Sequence, residues 1–260
     1  MESLGGTARL FRVIRLMAAN NEDGMRMSDI ASQTGMTPAS VHRILKSLIE
    51  ERIVEQGTDK RYSLGLEFFA LAASAGHKGG LKELAQPVLL RLGSRLNDSV
   101  FLFVRNGYDA VCIDRHEGPF PIQTFTNDVG GRVALGVGQA SMAILAYLSP
   151  AEQEEVLQYN IARLREYNVY DEISVRAEML RVSEQGYCAK NSGLLEGVVG
   201  LAVPLFDCNG QVIGALSIAT LTDRLNQDRL PVIVDVMKQE ADKLSKLINP
   251  FDRNLRRPRL

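Results

Sequence analysis

Thr37-Pro38-Ala39-Ser40-Val41-His42-Arg43-Ile44-Leu45-Lys46-Ser47-Leu48 is the stretch that decides the fold. Thr37 is an N-cap residue followed by proline at the first helical position, so a helix starts here and runs to about Glu51. Val41, Ile44, Leu45 and Leu48 fall at i, i+3, i+4 and i+7, which makes one apolar stripe. At 100° per residue Ala39, Arg43 and Lys46 point away from it, with Ser40, His42 and Ser47 beside them. Such a face can enter a DNA major groove. Arg43 carries the planar fork suited to guanine, and small polar neighbours let the backbone approach. Thr37 and Pro38, at the helix N-terminus, can hold a phosphate. An amphipathic helix with a solvated basic face fits this stretch equally well, so the surroundings must decide.

Upstream, Leu10, Val13, Ile14 and Met17 predict a helix over 7–19. After the loop 20–24, Ser28 is placed to cap a short helix that carries Ile30 and Ala31 and stops at Gly35. Downstream, 53–56 and 61–64 flank Gly57-Thr58-Asp59-Lys60 as a hairpin. Its Lys60 and Arg61 are candidates to touch flanking phosphates or the minor groove. Three helices, a glycine turn and a basic hairpin tip together predict a winged helix-turn-helix.

The charge must be read by segment. The chain has 260 residues and a formal net charge of -1, which excludes a protein that coats nucleic acid by bulk charge. Residues 1–65 hold 9 basic and 8 acidic side chains, 66–250 hold 17 and 22, and 251–260 hold 4 and 1. A slightly basic reader is therefore followed by an acidic region and a basic tail. A reader with an excess of one charge holds DNA weakly through phosphates, so at least two chains are expected at a site. Three scattered cysteines form no CxxC pair, and neither a signal peptide nor a membrane span is apparent. A cytoplasmic protein with no membrane partner is expected.

An apolar helix around 68–75 and the stretch His77-Lys78-Gly79-Gly80 mark a linker and hinge. Beyond them a helix from Leu81 ends at Asn97-Asp98, and strands 101–104 and 111–113 bracket Asn106-Gly107 as a hairpin. A third strand is expected at 122–125. Helices are expected near 139–148, 150–159 and 172–185, then a hairpin of 198–206 with 212–220, then a helix over 228–248. Hairpins outnumber crossovers, so this region should be an antiparallel sheet flanked by helices.

The segment Ala31 through Leu45 closely resembles the IclR-type (isocitrate lyase regulator-like) bacterial transcriptional regulators, as does Tyr62-Ser63-Leu64-Gly65. Gly131 through Leu135 running into Ala143-Ile144-Leu145-Ala146 is similar to that family's loop and helix. Gly186-Tyr187, Gly197-Val198 and Ala202 through Asp207 are similar to its later strands. The likeness spans about residues 7–248. It implies an α+β chain in which a winged helix-turn-helix (1–66) is joined by a linker helix and hinge (67–80) to a GAF-like effector-binding domain (81–250), with the tail at 251–260. It further implies a dimer or a dimer of dimers, a double-stranded DNA operator, no catalysis and no cofactor.

The resemblance also implies that a small organic acid binds between the 136–141 loop and the late strands, at Gln139, Ala140, Lys190, Gly200, Ser217 and Ala219. Gly136, Met142, Lys190 and Ala219 depart from the family's common residues. Lys190 favours an effector carboxylate, or is a solvated turn residue, and Ala219 lacks a hydroxyl donor. From the residues themselves, Gly136-Val137-Gly138-Gln139-Ala140-Ser141 precedes a helix whose N–H groups could grip an anion. A plain tight turn is the alternative. It is no nucleotide fingerprint, because Ser141 replaces the third glycine. Phe101, Phe103 and Phe125 are either an apolar wall or ordinary core.

Enzymatic readings find little support. Cys112 and His116, four apart on a strand, lie about 13 Å from each other, too far for a dyad or metal pair without a sharp bend. The acid pairs Glu154-Glu155 and Asp171-Glu172 fall on expected helix surfaces. No nucleophile is paired with a base. Another reading keeps the small-molecule module but gives its helix-turn-helix to protein contacts alone.

Overall fold

The computed structural model describes residues 5–20, 23–75, 80–119, 129–167, 171–189 and 196–248. The chain divides into two compact units, Met1–His77 and Lys78–Leu260.

In the first unit α1 (Gly6–Ala18), α2 (Met27–Thr34) and α3 (Pro38–Glu50) precede a short hairpin, β1 (Val54–Gln56) and β2 (Tyr62–Leu64), and α4 (Leu66–Ala75). Val13, Met17, Ile30, Val41, Leu45, Leu48 and Val54 form the core and are almost wholly buried. Thr37 caps α3 as expected, its side chain accepting from the Ser40 N–H at 3.3 Å, with proline in the first turn. Gly35 ends α2 in the left-handed region at φ 66°, where a Cβ is disfavoured.

The expected cap on α2 is wrong. Arg26 occupies the cap position, and Ser28 lies inside the first turn with its hydroxyl donating to Asp29 Oδ1 at 3.2 Å. The reason is tertiary. Met25 is buried and exchanges backbone hydrogen bonds with Tyr62 at 2.9 and 2.8 Å. That bridge adds a third short backbone segment to the hairpin and sets the point from which α2 departs.

In the second unit α5 (Leu81–Leu96) leads to β3 (Ser99–Asn106), β4 (Asp109–His116) and β5 (Arg132–Ala134). Helices α6 (Gly138–Leu145), α7 (Pro150–Glu166) and α8 (Glu172–Gln185) follow, then β6 (Val198–Phe206), β7 (Val212–Leu221) and α9 (Arg229–Leu247). The five strands pair in the order β5-β4-β3-β7-β6, every neighbour antiparallel. β5 lies where residues 131–135 read as a loop. Its pairing of Val133 with Ala110 and Arg132 with Val111 supplies a ladder that three residues cannot announce by periodicity. The strand expected at 122–125, with Phe125, lies outside the described residues, as do residues 76–79 of the hinge and the basic tail.

The period of two sorts the sheet into two cores. Leu102, Leu201, Leu216 and Ile218 are wholly buried in a cluster that includes residues of α5 and α9. Each contributes roughly 1.5–3 kcal/mol by leaving water. On the other side Phe101, Phe103, Ala202, Ala215 and Ala219 cluster with Ala140, Ala143 and Met179 of α6 and α8. That second face is paved largely with small residues.

Asp98 ties three elements together. Its carboxylate, 2% exposed, accepts from Thr220 Oγ1 at 2.7 Å, Arg224 Nε at 3.2 Å and Arg229 Nη2 at 2.6 Å. Both arginines also donate to the Leu96 carbonyl at the end of α5. Removing the carboxylate takes away the anion that two guanidinium groups share, so Asp98→Ala should cost about 3 kcal/mol. Urea unfolding of the second unit checks this; a loss under about 0.5 kcal/mol, the scale of an ordinary surface change, would show the cluster to be dispensable.

Candidate nucleic-acid interface and effector site

Burial of Val41, Leu45 and Leu48 fixes which side of α3 faces outward. Thr37, Pro38, Ala39, His42, Arg43, Lys46 and Ser47 are exposed, Ser40 is half-buried, and Ile44 is also only half-buried. The structure therefore gathers the expected reading residues on one helix face. Lys46 and Glu50 stand 4.0 Å apart one turn along that face, at 69% and 63% side-chain exposure. A pair so exposed is worth little and leaves Lys46 available.

The hairpin tip treats its two cations differently. Lys60 sits at φ 63° in the turn and is exposed. The Arg61 guanidinium folds back, Nη1 donating to the carbonyls of Gly24 at 2.9 Å and Asp23 at 3.4 Å. Its Nε lies 3.6 Å from Asp59 Oδ2.

In the second unit most of the expected effector residues meet on the small-residue face of the sheet. Gly200 pairs with Ala219, Ala202 with Ser217, and Ser217 with Phe101. Ala140 belongs to the same cluster, and Gln139 precedes it in the first turn of α6. A Cβ built on Gly200 would lie 2.6 Å from Gln139 Oε1, so the glycine is what admits the amide. Phe101, Ala140, Ser217 and Ala219 are each 5–7% exposed. Phe101 and Phe103 lie 6.3 Å apart, centre to centre, as part of the packed core. Ser141 is fully buried and its hydroxyl donates to the Val137 carbonyl at 2.5 Å, closing the first turn of α6. Lys190 lies outside the described residues.

One neighbouring group escaped the sequence reading. Glu178, 5% exposed on the inner face of α8, accepts from Arg181 and from Cys188 Sγ, the latter at 3.6 Å. Cys188 exchanges backbone hydrogen bonds with Ala202 at 2.8 Å each, which carries this group to the strand that pairs with Ser217. The signal was present as a glutamate at the edge of the Val175, Met179, Val182 stripe, but an acid on a helix reads by default as solvated.

The enzyme-like pairs separate. Cys112 is buried opposite Phe103, while His116 lies beyond a β-bulge with its ring against Gly93 of α5. Glu154 and Glu172 share Arg176 at 2.5 and 2.9 Å. The Arg176 hydrogen bond holds the Glu154 carboxyl below its ordinary range. Among the described residues no group of three His, Cys, Asp or Glu side chains could hold a metal, and no helix is long and apolar enough to cross a membrane.

Gly200→Ala tests the packing of the site. The added Cβ meets the movable end of Gln139 but also the Ile218 carbonyl oxygen at 3.1 Å, so the fold should lose about 1–3 kcal/mol while the Gln139 amide moves. Side-chain amide NMR signals of Gln139 should shift, with the thermal midpoint lowered but unfolding still cooperative. An unmoved Gln139 signal would contradict the contact.

Comparison with known proteins places this geometry. Residues 6–57 match the IclR helix-turn-helix domain, and residues 73–246 match the bacterial transcriptional regulator IclR C-terminal domain. The HTH-type transcriptional regulator KipR of Bacillus subtilis is 27% identical over 91% of this chain and 96% of its own length. The Pca operon regulatory protein of Acinetobacter baylyi is 29% identical over 84% and 80%. Among solved structures, the IclR regulator of Alicyclobacillus acidocaldarius superposes with a TM-score of 0.76 at 22% identity, covering 94% of this chain and 99% of that one. An IclR homologue of Microbacterium hydrocarbonoxydans, complexed with 4-hydroxybenzoate, gives 0.74 at 24% identity over 92% and 98%. A winged helix-turn-helix followed by an antiparallel sheet with helices on both faces is the architecture these proteins share, and this chain belongs to the IclR family of bacterial transcriptional regulators.

Proposed function

We propose that the chain is an effector-responsive repressor, not an enzyme, that binds its operator as a dimer or dimer of dimers. The observation that carries the reading half is the outward face of α3, where Ala39, Ser40, His42, Arg43 and Lys46 flank a buried stripe. Arg43 reads a guanine edge, Thr37 and the helix N-terminus hold a phosphate, and Lys60 reaches the flanking backbone. The effector is a small organic acid held among Gln139, Ala140, Gly200, Ser217 and Ala219, with Phe101 as an apolar wall and Lys190 as the carboxylate's counter-charge. The gathering of those described residues on one face supports it. The ligand acts through differential affinity for two arrangements of the protein, so its binding is coupled to operator affinity. The competing reading, a small-molecule module whose helix-turn-helix contacts only protein, gains no specific observation.

Arg43→Ala separates the two. On a duplex selected by the wild-type protein from a randomised pool, it should lose about 1–3 kcal/mol and relax preference at one base position. Unchanged affinity and preference would leave α3 without a reading role. For the sensor, 4-hydroxybenzoate and related aromatic and aliphatic acids are screened by calorimetry. The acid that binds should change operator affinity by about 5–150-fold, the usual range of such coupling. A bound acid that leaves operator affinity unchanged contradicts the regulatory half.

A further inference from the structure

The hairpin tip carries two adjacent cations, and the sequence gives no reason to treat them differently. The structure does. We propose that Arg61 is a positioning residue that anchors the wing to the loop before α2, and that Lys60 is the side chain the wing offers to DNA. This rests on the DNA-reading role of the first unit proposed above.

Arg61 is held from several directions. Its backbone carbonyl accepts from the Gly57 N–H at 2.8 Å, closing the turn, and its N–H donates to Asp59 Oδ1 at 3.1 Å. Its guanidinium grips the carbonyls of Gly24 and Asp23, residues of the α1–α2 connection. Gly24, at φ 62°, is pressed so near that an added Cβ would stand 3.2 Å from Arg61 Cβ and from the Tyr62 carbonyl oxygen. The Met25–Tyr62 bridge continues the same join. Nη1 is committed to the two carbonyls and Nε lies beside the Asp59 carboxylate, although the side chain keeps 40% of its surface exposed. Swinging the guanidinium out to a phosphate would require breaking those bonds.

Lys60 is the complement. Its backbone N–H donates to the Gly57 carbonyl at 3.0 Å, and its positive φ turns the side chain out at the tip. Among the described residues its ammonium forms no ion pair. The wing therefore presents one solvated cation on a frame that the other cation fixes. The hairpin strands are only three residues each, too short to hold that frame alone.

The two roles differ in how they combine. Every phosphate that the protein ceases to neutralise lowers the slope of log K against log salt by about 0.9. The probe is a duplex selected by the wild-type protein from a randomised pool, with variants first checked for native thermal unfolding. Lys60→Ala should reduce the magnitude of the slope by about 0.9 for every chain on the duplex, about 1.8 for a dimer. Arg61→Ala should reduce it by about as much, because Lys60 is no longer presented. The double variant should fall by no more than Lys60→Ala alone. A fall in the double variant about twice that of Lys60→Ala, or a wild-type slope in either single variant, overturns the proposal. A second measurement needs no DNA: amide exchange at Met25 and Tyr62 should quicken in Arg61→Ala and stay at wild-type rates in Lys60→Ala. Unaltered exchange in Arg61→Ala also overturns it. A wild-type protein without salt-dependent duplex binding would remove the DNA-reading role itself, whereas an additive double variant on a normal wild-type slope removes only this assignment.

Discussion

The burial of Val41, Leu45 and Leu48 against α1 and α2 is the constraint on which the reader depends. A helix has one rotation about its axis, and once this stripe is in the core that rotation is fixed. Arg43 and Lys46 are then outward whatever else happens. The cap at Thr37 sets where the helix starts, and so which residues stand at its N-terminal end. Specific chemistry on the outer face is thus a consequence of unspecific packing on the inner one. The same core holds Val54, so the hairpin's first strand is registered to the same apolar cluster.

The second unit solves a similar problem with a period of two. Leu216 and Ile218 of β7 join the cluster shared with α5 and α9, and the intervening Ala215, Ser217 and Ala219 fall on the opposite face. Small residues there leave the sheet surface low, and Gly200 lets the Gln139 amide lie directly on it. Large residues at these positions would fill the space with side chain. Buried charge lies at the margins of this arrangement. Asp98 joins α5, β7 and the start of α9, and Glu240 of α9 accepts from Arg91 and Lys243. Burial raises the Glu240 pKa, but hydrogen bonds from Lys243 and Arg91 outweigh it and the net direction is down. A carboxyl lowered in the folded state stabilises it above the ordinary glutamate range. That contribution is lost as pH falls through the lowered value.

Local signals carried much of this fold. Thr37-Pro38, Gly35 and Asn97 state their backbone roles in single residues, and Asn106-Gly107 announces a hairpin turn. The 3.6 period in α3 by itself orients Ala39, Arg43 and Lys46 away from the apolar stripe. What escaped was set by tertiary partners. Ser28 looked like a cap, but the Met25–Tyr62 bridge decides where α2 begins. β5 exists because Asp109–Val111 offer a ladder, and three residues have no period of their own. Arg61 and Lys60 are indistinguishable as letters; carbonyls 37 and 38 residues away along the chain tell them apart. Glu178 escaped for the same reason, since its partner Cys188 lies on a different element. Among the expected effector residues, Gly200, Ser217 and Ala219 came only through family likeness, because small residues on a strand carry no chemistry that periodicity can flag.

The central claim is that two such readers engage one operator, each through α3. Hydroxyl-radical footprinting on a duplex selected by the protein tests this most directly. Two protected half-sites are expected, with centres separated by one helical turn, about 10.5 base pairs, or a multiple of it. A single protected half-site at saturating protein, or no protection at all, would contradict it.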